Sequence, residues 1–240
     1  MIVERRAGAG LEAAAVGTVA AAGVAVTRLR PLPAILAGLG AAGMLVLLAR
    51  RAGAGWDELG LHRWGLAPGF RWGLAASLPM AVATAAAAAF PPTRRLFAER
   101  KAVVAPRPEF LAHVLFRVPL ATALTEEVLF RAGLPAVLRR RRGREGAELA
   151  SAALFGLWHI LPTLQELGAR RARRPVSRGD RVAAASIAVM TTFAAARAFA
   201  WLRDRSGSLV APVLAHAVIN EASLLGGRAA ARRLGLLGPR

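Results

Sequence analysis

The sequence predicts an all-α, polytopic transmembrane helix bundle of about seven spans with a polar site inside the membrane. Three observations predict it. The 240-residue chain is 55% hydrophobic, with a mean hydropathy of +0.43 and only 20% charged residues, against about 25% charged in an ordinary soluble domain. Its apolar residues gather into stretches long enough, or nearly so, to cross a hydrocarbon core of about 30 Å at about 1.5 Å of rise per residue. Three of those stretches carry ionisable side chains, each of which costs roughly 2.5–3.5 kcal/mol near the bilayer centre on insertion scales.

The stretches run from about Ala13 to Thr27, Pro31 to Ala49, Trp72 to Phe90, Phe110 to Leu138, Leu149 to Leu167, Val182 to Leu202 and Leu209 to Leu225. The first has a basic start at Arg5 and Arg6 and a short Ala/Val core, features that also suit a signal peptide. The chain re-enters apolar sequence at Pro31, so this stretch reads as a retained span. No Ser/Gly/Pro-rich linker, low-complexity tail or internal repeat divides residues 1–240, which are expected to form a single integral membrane domain.

The formal charge of +19 would suggest a nucleic-acid partner in a soluble protein. Here only Arg117, Arg131 and Arg197 of the 33 basic residues fall inside the apolar stretches. The remainder flank them, which points to anionic lipid headgroups as partner and away from nucleic acid. The densest patches are Arg139 to Arg144 and Arg170 to Arg181. Basic residues divide too evenly between the two sides of a seven-span topology for the positive-inside rule to orient it. Cysteine is absent, which excludes disulfides, cysteine zinc sites and thiol nucleophiles.

The fourth stretch contains Thr125-Glu126-Glu127-Val128-Leu129-Phe130-Arg131. At about 100° per residue Glu127 and Arg131 share a helix face and can pair. Glu126 lies about 140° from Arg131 and has no charge partner on its own helix, so it must be protonated, hydrated or satisfied from another helix. The fifth stretch contains Phe155-Gly156-Leu157-Trp158-His159 and the seventh His216-Ala217-Val218-Ile219-Asn220. Alone, His159 would read as a satisfied core side chain, and His216 with Asn220 as an interhelical hydrogen bond. If connections alternate sides, however, Glu126, His159 and His216 lie about 18, 15 and 10 Å from the same face. One hydrated site explains three such depths better than three separate accidents.

The set suits hydrolysis by activated water. Glu126 would act as general base with His159, His216 and Asn220 would donate to the oxyanion, and Glu127 with Arg131 would hold the helix. Two histidines and a carboxylate could instead hold a zinc ion. The His-Glu-x-x-His zinc signature, an intramembrane Asp dyad and a Gly-x-Ser-x-Gly elbow are all absent. A non-catalytic immunity or scaffold protein is the alternative from another class. A transporter ranks third, because no paired broken-helix repeat accompanies the buried Glu and His residues.

Glu126-Glu127-x-x-x-Arg131, then Phe155-x-x-x-His159, then His216-x-x-x-Asn220 resemble the three ordered motifs of the CPBP family, the CAAX prenyl endopeptidases and bacteriocin-processing enzymes (Abi family). Gly207-Ser208-Leu209 with Pro212 extends the resemblance, and Glu58-Leu59-Gly60-Leu61 is a fainter echo. The motif-bearing core covers about residues 110–225. The resemblance implies an intramembrane endopeptidase in which Glu126 and His159 activate water and His216 and Asn220 form the oxyanion hole. It implies a membrane-tethered peptide or protein as substrate, and the residue set favours chemistry without an obligatory metal, with a divalent ion such as zinc as the alternative. The Arg- and Ala-rich composition fits a bacterial cell membrane.

Overall fold

The hairpin formed by the first two helices shows how small residues build this bundle. In the computed structural model, which describes residues 2–98, 101–170 and 175–237, α1 (Ile2–Arg28) and α2 (Pro31–Arg51) are joined by two residues. Proline at the start of α2 suits a first helical turn, whose N–H groups have no helical acceptor. Ala15, Val19 and Ala22 of α1 meet Ala41, Ala42 and Leu45 of α2 in one buried cluster. The first predicted stretch is therefore packed into the bundle as a helix.

A short α3 (Trp56–Leu59) and a 3₁₀ turn at Arg63–Gly65 lead into α4 (Leu66–Ala89), followed by α5 (Pro91–Ala98) and α6 (Lys101–Val104). The chain then runs through α7 (Arg107–Ala112), a π-helical stretch His113–Leu124, a single α-turn α8 (Thr125–Glu127) and a second π-helical stretch Val128–Gly133 into α9 (Leu134–Trp158). Helices α10 (Ile160–Arg170), α11 (Arg178–Ser206) and α12 (Val210–Arg233) complete it. Among the described residues there is no strand. Part of the basic stretch Arg170 to Arg181, residues 171–174, lies outside the described residues.

Among the described residues six helices are long and apolar enough to cross a membrane, one fewer than the seven stretches expected. The fourth and fifth stretches fall within one helical segment, Arg107–Ala169, of 63 residues. The two were expected to be separated by a connection, but the arginine-rich sequence between them is itself helical and turns at one residue, Gly143, with φ 67° and ψ 178°. Only glycine adopts that backbone without strain. The two halves lie side by side: Ser151 Oγ donates to the Phe130 carbonyl at 2.6 Å, and the Phe130 and Phe155 rings are 5.0 Å apart.

Helices α4 and α12 form the most extensive pair in the bundle. A Cβ added at Gly69 would stand 2.6 Å from Ser208 Oγ, and one at Gly73 3.1 Å from the Ala211 carbonyl oxygen. Such close backbone approach is how helices associate where lipid is as apolar as leucine. Large apolar side chains point outward instead, among them Leu36, Leu78, Phe116, Ile187 and Met190, as a lipid-facing surface requires.

Candidate active site

The Thr125-Glu126-Glu127 turn is fixed by its own helix and by α2. Thr125 Oγ1 donates to the Leu120 carbonyl at 3.0 Å, five residues back, in keeping with the wide π-helical spacing that precedes it. Pro119 lies inside that stretch, where a proline removes a donor and crowds the preceding turn. π-Helical turns recur at functional sites. Gly133 permits contact from behind: a Cβ there would stand 2.5 Å from Leu45 Cβ of α2.

Glu127 is fully buried. Its Oε2 is 3.0 Å from Arg131 Nε, the pair that the four-residue spacing predicts. Its Oε1 accepts from His216 Nδ1 at 2.8 Å, a contact across 89 residues that local spacing could not reveal. Arg131 lies with its guanidinium carbon 4.2 Å from the centre of the Phe155 ring and 5.3 Å from that of Phe199, and His216 stacks on Phe199 at 5.3 Å. Phe155 is a motif residue, whereas nothing in the sequence marks Phe199.

Glu126 has the opposite character. Its Oε2 stands 3.9 Å from the Nε2 of His159 and 3.9 Å from the Nε2 of His216, and no hydrogen bond satisfies that buried oxygen among the described residues. At 3.9 Å the groups do not bond directly. An oxygen atom can nevertheless sit about 2.8 Å from the carboxylate and from either ring nitrogen. His159 Nδ1 is 2.8 Å from the Phe155 carbonyl oxygen. A carbonyl only accepts, so Nδ1 carries the proton and the Nε2 of the neutral ring presents a lone pair toward Glu126. His159 is a quarter exposed, while Glu126 and His216 are buried.

The structure thus brings Glu126, His159 and His216 together, with Glu127 and Arg131 behind them. Asn220 is half-buried one turn beyond His216 on α12, and among the described residues no hydrogen bond links its amide to the cluster. Zinc would need nitrogen and oxygen ligands at about 2.0–2.2 Å. Among the described residues no three His, Asp or Glu side chains stand together as such a set.

The two fainter sequence echoes meet near α12. Leu209 N–H donates to the Gly60 carbonyl at 3.0 Å, and His62 Nε2 lies 3.0 Å from the Gly207 carbonyl oxygen. Gly60 has φ 69°, and a Cβ there would come within 2.9 Å of Leu209 N. These contacts anchor the start of the helix that carries His216 and Asn220.

Residues 108–222 match the family model described as type II CAAX prenyl endopeptidase Rce1-like. Over this segment the chain is similar to the CAAX prenyl endopeptidase family. No curated protein and no solved structure matches the chain. The Rce1-like segment takes in Glu126, Glu127, Arg131, His159, His216 and Asn220. It ends two residues past Asn220. Likeness to a membrane endopeptidase family and six apolar helices among the described residues make the chain an integral membrane protein.

Proposed function

We propose that this protein is an intramembrane endopeptidase that hydrolyses a peptide bond of a membrane-tethered peptide or protein. The observation that carries the reading is the approach of two imidazole Nε2 atoms to 3.9 Å from one unbonded carboxylate oxygen, that of Glu126, inside an apolar bundle. Glu126 takes a proton from water held between it and the bare Nε2 of His159, and the hydroxide attacks the substrate carbonyl. Glu126 then returns the proton to the leaving amine, so water is consumed and an acid and an amine are formed.

The oxyanion is stabilised by His216 Nε2 and the Asn220 amide. His216 already donates Nδ1–H to Glu127, so its Nε2 donates only when the ring is doubly protonated. The Glu127 carboxylate at 2.8 Å supports that imidazolium, and Arg131 holds Glu127. The chemistry requires no metal in this reading. Its setting is a bacterial cell membrane, with anionic headgroups against the arginine-rich face.

The test is cleavage of a membrane-tethered peptide by purified protein. Glu126→Gln and His159→Ala are each expected to lower kcat by about 10²–10⁴-fold, the usual contribution of general acid–base catalysis. Equal activity in both variants and the wild type overturns the mechanism. Loss of activity on extensive chelation, with about one zinc per chain in the purified protein, would replace it with the metal-dependent version.

A further inference from the structure

Phe199 stands where no motif points. It lies on α11 in the alanine-rich run Ala194-Ala195-Ala196-Arg197-Ala198-Phe199-Ala200, and it is buried in one cluster with Leu202 of its own helix and Ala211 and Ala215 of α12. Ile219 of α12 packs against the same cluster. Ala215 precedes His216 and Ile219 lies nearly one turn beyond it, so the Phe199 ring rests along the part of α12 that carries His216. The small side chains of Ala211 and Ala215 allow that close approach.

The ring reaches His216 by two routes. The direct one is a stack, with ring centres 5.3 Å apart and planes at 21°, within the range that aromatic pairs favour. The other passes through Arg131. Its guanidinium carbon lies 5.3 Å from the centre of the Phe199 ring, its Nε is 3.0 Å from Glu127 Oε2, and Glu127 Oε1 accepts from His216 Nδ1. Phe155 closes the arrangement: it lies 4.2 Å from the same guanidinium carbon and stands edge-on to His216, at 6.4 Å and 84°. A single hydrogen bond at Nδ1 fixes one point of the imidazole but not its plane. Rocking about that point swings Nε2, the atom 3.9 Å from Glu126, and a misplacement of about 1 Å can cost about 100-fold in rate. A parallel ring against the imidazole face stops the rocking. An aliphatic side chain would fill the same space but present neither a flat face nor a π-surface for the guanidinium.

We propose that Phe199 is a positioning residue for His216. It holds the imidazole plane directly and supports the Nδ1–H bond to Glu127 through Arg131, so that Nε2 keeps its aim at the oxyanion. It acts only through these two side chains and touches no reacting atom. The aim at an oxyanion rests on the endopeptidase reading, whereas the holding of the ring does not.

The test combines cleavage of a membrane-tethered peptide with NMR of the full-length, ¹⁵N-histidine-labelled protein in detergent. Phe199→Leu keeps an apolar side chain and removes the ring. It is expected to lower kcat by about 10–100-fold with KM unchanged. It is also expected to broaden or abolish the downfield Nδ1–H signal of His216, which the bond to Glu127 protects from exchange in the wild type. Leu202→Ala, in the same buried cluster of α11, is the control for packing, and is expected to lower Tm at least as much while kcat and the signal stay. Phe199→Met, whose flexible side chain fills irregular space, takes the place of Phe199→Leu should that variant fail to fold. Retention of the Nδ1–H signal without the ring overturns the proposal, as does a loss of kcat in Leu202→Ala equal to that in Phe199→Leu. Loss of the signal with the ring, in a protein that cleaves no peptide, keeps the positioning role and overturns the endopeptidase reading. Cleavage by the wild type, with the signal retained in the variant that lacks the ring, does the reverse.

Discussion

Glu126 and Glu127 are adjacent in the chain and buried in the same turn, yet their surroundings separate them. Glu127 joins Arg131 to His216, so it carries structure. Glu126 has an unbonded oxygen facing two imidazoles, so it is free for chemistry. The difference is measurable. Glu127→Gln removes one partner from a buried ion pair, which typically costs about 3–5 kcal/mol, and is expected to lower Tm and activity together. Glu126→Gln is expected to lower activity by about the same 10²–10⁴-fold with Tm little changed, because no direct hydrogen bond of that buried oxygen is lost. Thermal unfolding and peptide cleavage on the same two preparations check both outcomes; a large Tm loss in Glu126→Gln would contradict the assignment. The pairing of Glu127 with Arg131 was legible in the sequence because i,i+4 neighbours share a helix face. Its bond to His216 was not, because periodicity says nothing about which helices become neighbours.

At the scale of the elements, the helix carrying the glutamates departs from regular α geometry on both sides of Thr125–Glu127, and α2 supports it closely. Gly133 is where that support is tightest. Gly133→Ala places a methyl 2.5 Å from Leu45 Cβ and is expected to cost about 1–3 kcal/mol by overpacking. Leu45→Ala in the same chain should recover part of the loss, and a double-mutant cycle of unfolding free energies measures the coupling. Gly60→Ala acts differently. It forces an L-residue into the left-handed region at about 1–2 kcal/mol and meets the Leu209 backbone, so a lowered Tm is expected there with no rescue by trimming a side chain. The sequence marked Gly60 as an echo of a motif; only its positive φ and its contact with Leu209 show why glycine stands there. The helical spans were legible from hydropathy, since apolar length is a one-dimensional quantity. Their number was not, because Gly143 turns the chain within helical sequence where a longer connection was expected.

For the molecule as a whole, the arginines at the α9 turn bind carboxylates from four separate elements. Arg139 and Arg144 reach Glu148, Arg140 reaches Glu58, Arg141 and Arg142 reach Glu12, and Arg144 also reaches Asp204. Arg197, one of the three basic residues inside the apolar stretches, also pairs with Glu148. Seven arginines, Arg203 among them, meet four carboxylates in this layer, so a surplus of positive charge remains for anionic headgroups. Glu148→Gln removes a carboxylate shared by three arginines, Arg139, Arg144 and Arg197. It is expected to increase the number of anionic lipids retained on the purified protein, read by native mass spectrometry, while lowering Tm. Fewer retained lipids would oppose a headgroup role for this face. The sequence by itself determined that the chain is an apolar helix bundle, where its basic residues lie relative to the spans, and which few polar groups sit too deep to be incidental. Those properties follow from composition and local periodicity, which a chain carries whatever its fold. The tertiary structure decided which of those groups touch: that two imidazoles share Glu126, that Glu127 serves His216, and that most of the arginine-rich turn is neutralised from within. Such contacts depend on the packing of helices distant in sequence, and close approach at glycines such as Gly60, Gly69 and Gly133 is what sets that packing.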